Sequence, residues 1–111
     1  MKNTDKLCFW DIILADYSFS DGSGSKLRPV FVLFCEREDY TILKMTGQSI
    51  PWDDVLVINP DGQNGLKGKT YLRMQKINTF HETLFTKKIG QVSEIQKKQV
   101  KEYLLRFIKN L

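Results

Sequence analysis

The sequence predicts a mainly β fold, a small and strongly curved sheet or barrel with one amphipathic helix docked on it. Three observations carry that expectation. Short apolar runs of strand length recur through the first three quarters of the chain, polar turn-rich stretches separate them, and helical periodicity appears once, after Ser93. With 111 residues, the chain is expected to form a single domain over residues 1–111.

The first strand candidate lies within Phe9 to Asp16, around the run Ile12, Ile13, Leu14 and Ala15. Tyr17 to Leu27 is rich in Ser, Gly and Asp and reads as an exposed loop. Arg28-Pro29 then leads into Val30 to Cys35, a β-branched and aromatic run, with Pro29 suited to the first strand position because it lacks an amide donor. Tyr40 to Met45 is a third strand with the polar exit Thr46-Gly47-Gln48-Ser49, and Val55 to Ile58 is a fourth. Asn59 to Lys69 carries Pro60 and three glycines and reads as a connector. Thr70 to Gln75 alternates as a fifth strand, whereas Leu84 to Val92 fits either a strand or an extended segment. At the end, Ser93 and Gln96 have the spacing of a capping box. Val100, Tyr103, Leu104, Phe107, Ile108 and Leu111 then fall on one helical face, with Lys97, Lys98, Lys101, Arg106 and Lys109 around the rest.

Composition narrows the chemistry. A hydrophobic share of 41% with 27% charged residues matches an ordinary globular domain, and no run approaches the roughly 20 apolar residues of a membrane span. Met1 to Lys6 is polar and does not resemble a signal peptide, so a cytoplasmic protein with no membrane partner is expected. Cys8 and Cys35 are too few for a disulfide framework or a zinc site and read as buried thiols; His81 alone cannot build a metal centre. The net charge of +4 is unevenly spread. Residues 1–63 hold six Lys/Arg against ten Asp/Glu, and residues 64–111 hold eleven against three. That asymmetry points to an anionic partner for the second half, nucleic acid or an acidic polypeptide, unless it is only a solvated lysine-rich helix.

Few residues are then left to carry chemistry. Arg28 sits where the Ser/Gly loop meets an apolar strand, and a guanidinium held there can grip a phosphate with two parallel donors. An ordinary surface arginine has the same local sequence, so the residue types leave both readings open. Thr46 and Gln48 close a strand, where a hydroxyl can donate to a phosphoryl oxygen or simply bond its own turn. Arg73, between Leu72 and Met74, needs solvent, an anion or a structural ion pair. Trp10, Phe19, Trp52 and Tyr71 lie in or beside polar segments and could stack bases, although aromatics mostly pack cores. Gly22-Ser23-Gly24-Ser25 lacks P-loop spacing. His81 beside Glu82 has no evident partner and stays unassigned.

Three blocks in order resemble the MazF/PemK family of toxins. Asp11 to Leu33, DIILADYSFSDGSGSKLRPVFVL, is similar to the family's opening strand, Ser/Gly loop and Arg-Pro-Val step; TILKMTGQ, Thr41 to Gln48, resembles its third strand and terminal Thr. TYLRMQKINTF, Thr70 to Phe80, followed by KKIGQVS and a helix, resembles the remainder, so the likeness spans about residues 8–108. The resemblance implies an SH3-like barrel of the CcdB/PemK/MazF type that forms a homodimer. It further implies a cofactor-free, metal-independent endoribonuclease that leaves 2′,3′-cyclic phosphate and 5′-hydroxyl ends on single-stranded RNA. Arg28 and Thr46 fall on the family's catalytic positions. Ser23, Ser25, Lys26, Gln48, Arg73, Gln75 and Lys76 are the expected RNA contacts. An antitoxin with an acidic disordered segment is the implied partner, with DNA reached only through it. Two departures stand out: Trp10 where many members have Gly, and Gln75, which cannot exchange a proton, where some have an acid. The alternative is a non-catalytic module on the same barrel, binding RNA or a protein target such as gyrase.

Overall fold

The structure, a computed structural model of the chain, describes residues 9–18, 25–51 and 55–111, and only the backbone of Ser18, Ser25, Met74 and Gln75. Cys8, Phe19, Trp52 and the Gly22–Ser23–Gly24 stretch lie outside the described residues. Six strands form one antiparallel sheet: β1 (Asp11–Ser18), β2 (Ser25–Glu36), β3 (Asp39–Thr46), β4 (Leu56–Ile58), β5 (Thr70–His81) and β6 (Phe85–Gln91). Their order across the sheet is β4-β5-β3-β2-β1-β6. One helix, α1 (Glu94–Lys109), follows. The mainly β architecture with a C-terminal helix is therefore the one the sequence predicts.

Alternation along the strands divides the apolar residues between two faces. Ile12, Phe31, Leu33, Leu43, Met45 and Leu72 pack with Val100 and Tyr103 of α1 on one face. Ile13, Ala15, Val30, Val32, Tyr40, Ile42, Phe80 and Phe85 form a second cluster on the other. The capping box at Ser93 is complete, with the Gln96 amide donating to Ser93 Oγ at 3.2 Å and the Ser93 amide to Gln96 Oε1 at 3.3 Å. Burial fades along the helical stripe. Val100 and Tyr103 are buried and Leu104 and Phe107 half-buried, whereas Ile108 and Leu111 are exposed, contrary to their expected place on the docked face.

Several element boundaries differ from the sequence reading, each for a reason local composition does not contain. Tyr17 and Ser18 continue β1, and Ser25 to Leu27 begin β2, paired as Asp16↔Leu27, Tyr17↔Lys26 and Ser18↔Ser25. The polar residues are held by a cross-strand ladder, so Tyr17 to Leu27 is not loop throughout. Pro29 consequently stands fifth in β2 rather than first. The Trp10 amide donates to Val32 O, which turns the main-chain groups of Val32 and Val30 toward β1 and the donorless nitrogen of Pro29 toward β3. Pairing of β2 with β3 ends at Val30↔Lys44, one residue short of Pro29. A bulge between Val32 and Phe34 reverses the facing of the strand end, so Phe34 and Cys35 are exposed and the Cys35 thiol is not buried as expected. β5 runs on past Gln75 to His81, and Phe85 to Gln91 is a true strand. His81 does have partners: its Nδ1 accepts from the Thr83 amide at 3.2 Å, and Nε2 lies 3.6 Å from Glu38.

The terminal strands β4 and β6 do not pair. The connector after β4 closes the gap instead, with the Gln91 amide donating to Gln63 O at 3.0 Å. The backbones meet so closely that a Cβ on Gly90 would overlap Gln63 O and Asn64, and one on Gly65 would overlap Ile89 O. Asn64, wholly buried, donates to Asn59 O at 2.8 Å and accepts from the Leu66 amide at 3.0 Å. Gln96 reaches the same Asn59 oxygen at 3.1 Å, which ties the connector to the start of α1. Trp10 enters β1 at φ 77°, a left-handed conformation that glycine adopts without penalty and tryptophan only with strain. Its ring lies 5.9 Å from Phe31 and under Lys97 and Lys101, contacts a glycine would not make.

The closure gives an ordered set of stability effects. Gly90→Ala is expected to destabilise by about 1–3 kcal/mol through backbone overlap. Asn64→Ala should cost a similar ~1–3 kcal/mol by stranding buried donors and acceptors. Gly47→Ala, where nothing lies within 4 Å of the added carbon, should stay within ~0.5 kcal/mol. Urea unfolding of the three variants checks the ranking.

Candidate active site

The parting of β2 from β3 opens a seam at one end of the sheet. The pairs Phe31↔Leu43 and Val30↔Lys44 set the register, and its continuation sets Arg28 across from Thr46 without a ladder between them. Arg28 pairs on its other side with Ala15 of β1, and Thr46 with Tyr71 of β5. Both therefore stay on strands held by their other neighbours, with no β2–β3 pairing between them. By alternation, Arg28 follows Val30 and Val32, and Thr46 follows Ile42 and Lys44, on the face of the second apolar cluster. Tyr17 and Tyr71 extend that face on the flanking strands.

Across β3, the partner strand is also interrupted. Leu43 faces Ile77 and Met45 faces Leu72, so the four residues Arg73 to Lys76 of β5 stand out of register opposite Lys44. The sequence reading treats Arg73 as a mid-strand residue; in the structure it belongs to this irregular stretch. The Lys44 amine lies 4.9 Å from the centroid of the Tyr17 ring. Burial lowers its pKa from the ordinary lysine value, and the positive charges of Lys76, Arg28 and Arg73 lower it further. Lys44 therefore lies within electrostatic reach of Arg28, Arg73 and Lys76.

Two phenols on the face respond in opposite directions. Burial raises the Tyr17 pKa, partly offset by the Arg28 guanidinium. Tyr71 is lowered, first by its hydrogen bond with Ser49, against the opposing effect of burial, and then by Lys69, whose amine lies 5.7 Å from its ring centroid. The Thr46 hydroxyl accepts the Gln48 amide at 3.1 Å, the local turn foreseen as one of two possibilities. That bond uses an acceptor lone pair and leaves the hydroxyl proton to point elsewhere.

Of the site residues expected from sequence, Arg28, Thr46, Arg73 and Lys76 share this region, and Gln48 lies one turn beyond Thr46. Lys26 is exposed on β2, two residues before Arg28 and paired with Tyr17. Ser23 and the side chains of Ser25 and Gln75 lie outside the described residues. Lys44, Tyr17 and Ser49 were missed. A lysine inside the apolar run Tyr40 to Met45, two residues before Thr46, was the available signal for the first. A groove of about 1060 Å³ adjoins the seam at Gly47, on the opposite face of the β1–β2 hairpin. Leu14, Leu27 and Pro29 form its apolar floor, and Lys67, Lys69 and Lys87 stand around it. Much of the positive charge of the second half therefore collects beside the seam. Among the described residues no three His, Cys, Asp or Glu come together as metal ligands, and no helix is long and apolar enough to cross a membrane.

Spectroscopic titration separates the two phenols: the phenolate absorbance lost in Tyr71→Phe should rise at lower pH than that lost in Tyr17→Phe.

Comparison with known proteins bears on the same geometry. A solved mycobacterial structure described as an endoribonuclease in complex with its cognate antitoxin matches the fold with a TM-score of 0.71, over 94% of this chain and 96% of that one, at 14% sequence identity. Among curated proteins no match emerges. The sequence profile of the PemK-like, MazF-like toxins of type II toxin–antitoxin systems matches residues 9–108, and the chain belongs to that family.

Proposed function

We propose that the protein is an endoribonuclease toxin that cleaves single-stranded RNA at the seam between β2 and β3. The observation that carries this reading is the facing of Arg28 and Thr46 across an unpaired stretch of sheet, inside a cluster of cations. In the proposed reaction the RNA supplies its own nucleophile. The 2′-oxygen attacks the adjacent phosphorus, the bond to the 5′-oxygen breaks, and the products are a 2′,3′-cyclic phosphate and a 5′-hydroxyl. No metal-bound water is required, because the attacking group belongs to the substrate.

The residues then divide the work by their chemistry. A guanidinium is a permanent cation, so Arg28 serves as a clamp for the phosphate and for the charge that grows on it. The Thr46 hydroxyl, oriented by the Gln48 amide, donates to a phosphoryl oxygen. Arg73, Lys76 and Lys26 hold neighbouring phosphates, and Lys67, Lys69 and Lys87 attract the strand beyond Gly47. The apolar floor of the groove provides a surface for an unstacked base. The same basic surface suits the acidic segment of an antitoxin, which would block RNA by occupying it; family membership and the antitoxin-bound structural neighbour support that partnership. Homodimerisation is part of the proposal, as is contact with DNA only through the antitoxin.

Purified protein should cleave unstructured RNA in the presence of EDTA. Arg28→Ala and Thr46→Val should each lower the rate by about 100-fold or more while the fold is retained. The 3′ product ends should resist extension until the cyclic phosphate is opened and the phosphate removed, and the 5′ ends should accept a phosphate from a polynucleotide kinase. Intact RNA across varied sequences, with tight binding retained, would favour a non-catalytic RNA module; RNA neither bound nor cut would contradict the assignment.

A further inference from the structure

Transfer of the RNA 2′-proton requires an acceptor that the roles of Arg28 and Thr46 do not supply. An arginine holds its proton at any ordinary pH, and a threonine hydroxyl is too weak a base. Among the described side chains around the seam, Lys44 is placed differently from the rest. It occupies the last rung shared by β2 and β3, two residues from Thr46 on the same face. Arg28 flanks it from β2, Arg73 and Lys76 from β5, and Tyr17 from β1, whose ring face it meets at 4.9 Å. We propose that Lys44 is a further catalytic residue of this chain, the group that takes the proton from the attacking 2′-hydroxyl. The inference rests on the ribonuclease reading above.

The electrostatics of the position support it. Partial burial and three neighbouring cations favour the neutral amine, the form a base requires, and outweigh the Tyr17 ring face, which favours the charged one. In the step, the neutral Nζ accepts the 2′-hydroxyl proton as the bond from the 2′-oxygen to phosphorus forms. The 5′-oxygen leaves with the bonding pair and takes a proton from water, and the Lys44 ammonium returns its proton to the hydroxide so formed. While charged, the ammonium adds a fourth cation beside the phosphate at the moment negative charge accumulates there. Tyr71 is the competing candidate, since its phenol is also shifted toward deprotonation, but it is engaged by Ser49 and Lys69.

The test is the pH dependence of kcat/KM for cleavage of a short RNA by wild type, Lys44→Arg, Lys44→Met and Tyr71→Phe. A 13C-NMR titration of the reductively methylated wild-type amines locates the Lys44 transition independently. The wild-type rate should rise with pH and level off at the Lys44 transition. Lys44→Arg, which keeps the charge, should retain KM within about threefold yet lose at least about 100-fold in kcat and the dependence on that transition. Lys44→Met should lose kcat similarly, and Tyr71→Phe should keep the profile. Active wild type whose profile survives unchanged in Lys44→Arg, or vanishes in Tyr71→Phe instead, overturns the role of Lys44 alone. Wild type with no cleavage at any pH overturns the ribonuclease reading and this inference together.

Discussion

The arrangement of the site depends on where the ladder between β2 and β3 ends. Pro29 turns a nitrogen without a hydrogen toward β3, and pairing stops one rung earlier, at Val30↔Lys44. Neither strand is lost, because each keeps its other neighbour: Arg28 remains paired with Ala15 and Thr46 with Tyr71. A proline that would weaken a fully paired central strand is therefore accommodated where β2 has a partner on one side only. The outcome is an unpaired seam whose two walls are each held in the sheet by a ladder on the other side. That support matters because a clamp on phosphate is effective only if it is already in place when charge develops.

Closure of the sheet falls to the connector after β4. β4 and β6 are too far around the sheet to pair, and the connector from Asn59 to Lys69 spans them. Backbone contact at Gly65 and Gly90 leaves no room for side chains, and the buried Asn64 side chain satisfies main-chain groups of Asn59 and Leu66. The same connector brings Lys67 and Lys69 to the groove beside Gly47. Closure and charge placement are thus two consequences of one segment. Trp10 shows a related exchange, since a strained backbone is offset by a ring that spans the join between the sheet and α1.

Most of the fold was legible in the sequence because strand and helix periodicities are local. The apolar runs at Ile12 to Ala15 and Val30 to Leu33, and the Ser93 cap, needed no knowledge of partners. The failures share one cause, dependence on residues distant in the chain. Ser25 to Leu27 look like loop until they are paired with Asp16 to Ser18. Cys35 looks buried until the bulge after Val32 turns the strand end outward. Arg28 and Thr46 were singled out by type and position, and by resemblance, yet their facing across the seam follows only from register. Lys44 was overlooked because a lysine within a strand carries little information until the cations gathered around it are known.

In the proposed reaction RNA severs itself on this surface, while the protein holds the phosphate and moves protons. The most direct measurement uses one RNA oligonucleotide in two forms, all-ribose and with a single 2′-deoxyribose on the 5′ side of the mapped cleavage point. Loss of cleavage at that linkage alone, with binding unchanged, is the expected result. Continued cutting at the deoxy linkage would show that the nucleophile comes from elsewhere and would contradict the account.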